Sequence, residues 1–172
     1  MKSNTLEHEP MKSIFLTYNQ GSQIGKNTVL RMQTISNLYG LTAFLPVRAY
    51  GAGSGLDEET QRRIRKSPVV VAFALDKLTR RMKAELTYAI HQKKAIVVIY
   101  DQSKSRTLTF KDYKNVMEEW IDYDQTEDSL HNVSEFLDEY FAKKEKGQGQ
   151  LGTAIVGVGL GLLALWALSK ST

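Results

Sequence analysis

Three short runs in this chain are apolar almost from end to end: SIFLTY at 13–18, PVVVAFAL at 68–75 and AIVVIY at 95–100. A strand with one wet face alternates apolar and polar residues. These runs do not alternate, so each has to be covered on both faces. That requirement points to a parallel sheet held between two layers of helices.

The segments between the runs carry helical spacing. Residues 26–39 place Val29, Leu30, Met32, Ile35 and Leu38 roughly at that period, with Gly40 where a helix stops. LTAFL at 41–45, closed by Pro46, reads as another strand. Residues 56–66 begin with Asp57, Glu58 and Glu59 and end with Arg62, Arg63, Arg65 and Lys66, an order that complements a helix dipole. Residues 78–92 put Met82, Leu86, Ala89 and Ile90 on one helical face. Beyond 100 the pattern weakens to a loop at 107–113, a strand at 119–121 and a helix over 128–141 bearing Leu130, Val133, Phe136, Leu137 and Phe141. Right-handed crossovers then predict a flavodoxin-like, doubly wound α/β fold. Ligands in such sheets bind beyond the carboxyl ends of the strands, here near Tyr18, 45–48, 75–77 and 100–101.

The C-terminal segment has a different character. LGTAIVGVGLGLLALWAL at 151–168 carries no charge. Its length as a helix, about 27 Å, approaches the roughly 30 Å of a bilayer core, and Trp166 sits near one end. The sequence therefore predicts one C-terminal transmembrane helix. Lys143, Lys144 and Lys146 precede it and only Lys170 follows, which predicts a single membrane pass with the N-terminal domain cytoplasmic. Gly157 and Gly161 have the small-xxx-small spacing that lets membrane helices pair. The expected organisation is a flexible leader at 1–12, an α/β domain at 13–142, a basic and glycine-rich linker at 143–150, and the membrane helix at 151–168.

Several chemistries are excluded. There is no cysteine, hence no disulfide, thiolate metal site or cysteine nucleophile. His8, His91 and His131 are too dispersed for a metal centre. Ser54 and Ser67 lack a Ser-His-Asp setting. A net charge of +4 with scattered positive residues gives no nucleic-acid footprint. Gly51, Gly53 and Gly55 form neither a P-loop nor a dinucleotide fingerprint. They read either as a mobile loop at the open end of the sheet or as a plain surface loop.

Glu85 stands out. It lies in LTRRMKAELTYAI beside Leu86, on or near the inward face of its helix, where a carboxylate is costly unless paired or functional. Spacing alone also permits an i,i+4 pair with Arg81 on a solvated face.

The stretch 13–101 resembles a TIR (Toll/interleukin-1 receptor) domain of bacterial type. The order SIFLTY, helix, LTAFLP, glycine-containing loop, LDEETQRRIRKS, PVVVAFAL, a helix with Ala84-Glu85-Leu86-x-x-Ala89, and AIVVIYD carries the resemblance. IRKSPVVVAFALD is also similar to TIR-like nucleoside 2-deoxyribosyltransferases. Where many TIR domains have Trp-Cys before the glutamate, this chain has Arg81 and Met82. The resemblance implies that Glu85 is the catalytic carboxylate of an NAD+ glycohydrolase or cyclase, with NAD+ as substrate and no cofactor or metal. It implies substrate contacts from Tyr18, Asn19, Arg48 and Tyr50: the tyrosines stacking on a base and Arg48 meeting the pyrophosphate. It further implies a role in bacterial anti-phage immunity or NAD depletion, and homo-oligomers formed through the TIR domain and the membrane helix. The alternatives are a non-catalytic TIR adaptor and a nucleotide-signal sensor whose output is the membrane helix.

Overall fold

The computed structural model describes residues 13–38, 41–48, 55–122 and 125–144. The elements follow in the order β1 (Ser13–Tyr18), α1 (Gln23–Leu38), β2 (Thr42–Phe44), α2 (Glu58–Lys66), β3 (Val69–Ala74), α3 (Arg80–His91), β4 (Ala95–Asp101), β5 (Val116–Ile121) and α4 (Thr126–Lys144). The five strands form one sheet in the order β2-β1-β3-β4-β5, and every adjacent pair is parallel. This order is consistent with a flavodoxin-like sheet.

Alternation along the strands sorts the core into two layers. Ile14 and Leu16 of β1, with Val69 and Phe73 of β3 and Val97 and Ile99 of β4, meet Val29 and Met32 of α1 and Val133 and Leu137 of α4. Phe15, Val70, Ala72, Ala74, Ile96 and Val98 meet Ile64 of α2 and Met82, Leu86, Ala89 and Ile90 of α3 on the other face. The expectation of strands covered on both sides is therefore met.

Local signals set the helix limits. Ser22 accepts a hydrogen bond from the Gly25 N–H at 3.1 Å as α1 begins. Asp57 caps α2 through the Glu59 N–H at 2.8 Å, and Thr79 caps α3 through the Met82 N–H at 3.2 Å. After α3 the chain turns through Lys93 at φ 54°, with N–H bonds from Lys93 to Ile90 and from Lys94 to Ala89 that close the helix end.

Two expectations need correction. The first is the membrane helix. Among the described residues no helix is long and apolar enough to cross a membrane. The longest, α4, carries Glu127, Asp128, Glu135 and Glu139, so its surface is charged as well as apolar. Residues 151–168 lie outside the described residues, as do the leader at 1–12 and the linker from 145. The observed fold is thus a five-stranded α/β unit. The second is the final strand, which runs from Val116 to Ile121 rather than 119–121. Glu118 and Glu119 disguise it: the strand lies at the sheet edge, and Glu118 is satisfied by donors that its sequence neighbours do not reveal.

Candidate functional site at the switch point

The chain runs from β1 outward to β2 in one direction and returns to β3 on the other side of β1. The loops after β1 and β3 therefore diverge, leaving a crevice beyond their carboxyl ends, where parallel α/β sheets bind ligands. Thr17 and Tyr18 end β1, paired in register with Ala72 and Phe73 of β3. Their positions decide which way each side chain goes. Thr17 follows Phe15 on the α3 side, and Tyr18 follows Leu16 on the α1 side.

Glu85 projects from α3 onto Thr17. It is 1% exposed. The Thr17 hydroxyl donates to Glu85 Oε2. Arg48, four residues beyond β2, reaches the same carboxylate with two N–H groups: Nε to Oε1 at 3.0 Å and Nη2 to Oε2 at 2.9 Å. This fork is the strong, planar form of an arginine–carboxylate pair, and both side chains are sealed, at 4% and 2% exposure. Arg48 Nη2 also donates to Thr17 Oγ1 at 3.1 Å, and Nη1 donates to the Tyr18 carbonyl at 2.8 Å. The guanidinium lies 5.5 Å from the centre of the Tyr18 ring. Ala72 and Ala74 of β3, both small, lie in the layer that α3 covers.

Arg48 is held from behind. The Thr60 hydroxyl of α2, 1% exposed, accepts from the Val47 N–H at 2.8 Å and donates to the Val47 carbonyl at 3.0 Å. The backbone beside Arg48 is thereby clamped to the α2 layer.

Asn19 stands just past β1 and is buried. Its amide donates to Asp76 Oδ2 at 2.7 Å, and its Oδ1 accepts the Gly21 N–H at 3.0 Å. Asp76, exposed at the end of β3, thus joins the rim. Beyond Gly21 the chain enters α1, so the positive end of that helix dipole also faces the crevice.

The structure brings together four of the five residues expected at the site: Tyr18, Asn19, Arg48 and Glu85. Tyr50, the fifth, lies outside the described residues, together with Gly51, Gly53 and Ser54 of the glycine run. The partner of Glu85 is Arg48, which is distant in sequence, and not Arg81 one turn earlier. Arg48, expected to meet a pyrophosphate, is engaged by Glu85 in this structure. Two residues of the site were missed. Thr17 carries a signal, a hydroxyl next to the end of a mostly apolar strand, on the face that α3 covers. Asp76 falls within the strand-end window 75–77 but has no motif around it. Among the described residues no cluster of histidines and carboxylates could hold a metal ion.

The parallel sheet thus carries a sealed acid–arginine pair at its switch point. No family model matches the chain, and no curated protein matches it either.

Proposed function

We propose that this protein is a TIR-type NAD+ glycohydrolase or cyclase, acting in bacterial immune signalling or NAD depletion. The observation that supports the reading is a single carboxylate, Glu85, in low-dielectric surroundings at the switch point, with Arg48 beside it. Cleavage of the nicotinamide–ribose bond needs little else. The C1′–N bond breaks, its electron pair goes to the pyridinium nitrogen, and nicotinamide leaves neutral without a general acid. The ribosyl group becomes oxocarbenium-like, and a carboxylate fixed beneath it stabilises that charge. Water captures the cation and loses a proton to give ADP-ribose; capture by an adenine nitrogen gives a cyclic product instead. Tyr18 offers a ring to a base at the rim, and Asn19 supplies a polar edge. Homo-oligomers are part of this proposal, because a neighbouring subunit can add residues at the strand ends and raise the effective concentration of its own site.

Incubating the full-length protein at high concentration with NAD+ and resolving the products by chromatography tests the reading. The parent releases nicotinamide, and Glu85→Gln lowers the rate by about 10²–10³, the scale of one lost transition-state contact. Gln keeps the size and nearly the helix propensity of Glu. Absence of turnover in the parent sinks the assignment.

A second reading, a non-catalytic TIR adaptor, has one observation in its favour. Thr17 and Arg48 already occupy the Glu85 oxygens, so the carboxylate has a complete structural role inside the chain. Under that reading Glu85→Gln changes stability and no chemistry.

A further inference from the structure

We propose that Arg48 is a specificity-determining latch, which yields Glu85 only to a ligand that carries a phosphate together with a cationic glycosyl group. The inference rests on the assignment of Glu85 to NAD+ above and adds what the site demands of its ligand.

Glu85 meets Arg48 through two contacts of 2.9 and 3.0 Å and Thr17 through a third, and it is almost wholly shielded from solvent. A ligand that engages Glu85 must first part it from Arg48. The two ends of the pair differ in freedom. Glu85 and Thr17 are carried by α3 and β1, inside the packed core. Arg48 is carried by the segment after β2, and Thr60 clamps the backbone of its neighbour Val47. Opening therefore falls to the Arg48 side chain itself, which has four rotatable bonds and must also give up its contacts with the Tyr18 carbonyl and the Thr17 hydroxyl. The Tyr18 ring, 5.5 Å from the guanidinium, offers a face along which it can swing towards the crevice.

Charge decides what can open it. A purely cationic ligand at Glu85 would leave the guanidinium with only the neutral Thr17 hydroxyl and Tyr18 carbonyl, and a purely anionic one at Arg48 would leave the carboxylate with only the Thr17 hydroxyl. A buried charge stripped of its partner is strongly unfavourable. A dipolar ligand exchanges both partners at once. Its phosphate oxygens take the guanidinium fork in place of the carboxylate, while its positively charged glycosyl end takes Glu85. A nucleotide with a quaternary glycosyl nitrogen and a pyrophosphate has both charges. A nucleoside lacking phosphate, or a nucleotide lacking the cation, has one.

The shielded Arg48 Nε–H reports the exchange directly in a 1H–15N spectrum, and its resonance is assigned by its loss in Arg48→Lys. The protein is titrated with NAD+, with nicotinamide riboside (cation without phosphate) and with ADP-ribose (phosphates without cation). NAD+ is expected to move the Arg48 resonance at concentrations at least about tenfold below either fragment, the minimum for one lost charge-assisted contact. The proposal is overturned if either fragment binds as tightly as NAD+, if NAD+ binds with the resonance unmoved, or if none of the three binds. Turnover measured on the same samples separates the two ideas. Turnover with Arg48 unmoved refutes the latch and leaves the hydrolase; binding with Arg48 moved and no turnover keeps the latch and refutes the hydrolase.

Discussion

Two glutamates belong to the same layer between the sheet and α3, and they are satisfied in opposite ways. Glu118 of β5 accepts from the Tyr100 hydroxyl at 2.9 Å and from the backbone N–H groups of Thr109 and Phe110 at 3.0 and 2.9 Å. Burial pushes the Tyr100 hydroxyl pKa far up, which keeps its proton in place for Glu118. Tyr100 stacks on Trp120 at 4.9 Å, closing the apolar side of that corner. These donors are neutral, and two of them are main chain. They tie the loop between β4 and β5 over the sheet edge. Glu85 draws two of its three contacts from one long, charged side chain. A backbone N–H is a fixture; a guanidinium is a movable partner with an affinity for phosphate. Glu118 thus fastens a loop through the main chain, whereas Glu85 is held mainly by a side chain that phosphate could also engage.

The largest effect is expected from Arg48→Ala, which leaves Glu85 buried without its cation. It should remove about 3–5 kcal/mol of stability, read as a lower midpoint in chemical denaturation. The double change Arg48→Met with Glu85→Met sharpens the contrast. An apolar pair of similar bulk often replaces a buried ion pair at no loss, so the double variant should fold nearly as well as the parent while losing NAD+ turnover. If the double variant is as unstable as Arg48→Ala alone, the pair is structural, and the difference drawn from Glu118 collapses.

Glu118→Ala comes next. It strands the partly buried Phe110 N–H and the Tyr100 hydroxyl, at about 2 kcal/mol in all, and hydrogen exchange should quicken in the 102–115 loop. NAD+ turnover should stay at the parent's rate. A loss of turnover would show that the edge corner and the switch point are coupled.

Thr17→Val is near-isosteric and removes one donor to Glu85, with the Arg48 fork still in place. The expected loss is about 1.5 kcal/mol, measured by thermal melting. A neutral result would mean that Arg48 alone satisfies the carboxylate.

The smallest effect belongs to the surface of α2. Glu59 is held down to a pKa of about 2, first by the Arg62 side chain and then by Arg63. Because the folded value lies below the ordinary 4.5, the contribution is present above pH 4.5 and fades as pH falls towards 2. Exposure keeps it small. The melting difference between the parent and Glu59→Gln should therefore shrink steadily on acidification; a constant difference would place the effect elsewhere in the helix.

Much of the fold was legible because burial leaves a mark on composition. A strand covered on both sides has to be apolar throughout, and SIFLTY, PVVVAFAL and AIVVIY are. The caps Asp57 and Thr79 likewise write helix starts into the chain. β5 was only half legible: an edge strand tolerates Glu118 and Glu119, which break the apolar signal. Leu30 and Leu38 of α1 shared the roughly helical spacing of Val29 and Met32 and yet are exposed, at 46% and 79%, since an approximate spacing does not fix which flank meets the sheet.

The site divides along the same line. Sequence alone singled out Glu85, because a carboxylate beside the apolar stripe of a helix is conspicuous wherever it finally lies. Sequence also determined that the strand ends near Tyr18 and 45–48 would gather at one edge, since parallel crossovers return every strand in the same direction. Only the tertiary structure decided who Glu85 meets. Arg48 lies 37 positions away, and no local spacing links the two. The sheet order puts β2 and β3 on either side of β1, so that an arginine past one and a helix following the other converge on the hydroxyl of Thr17. Pairing across such distances is set by packing and register, which the linear pattern of residues does not contain.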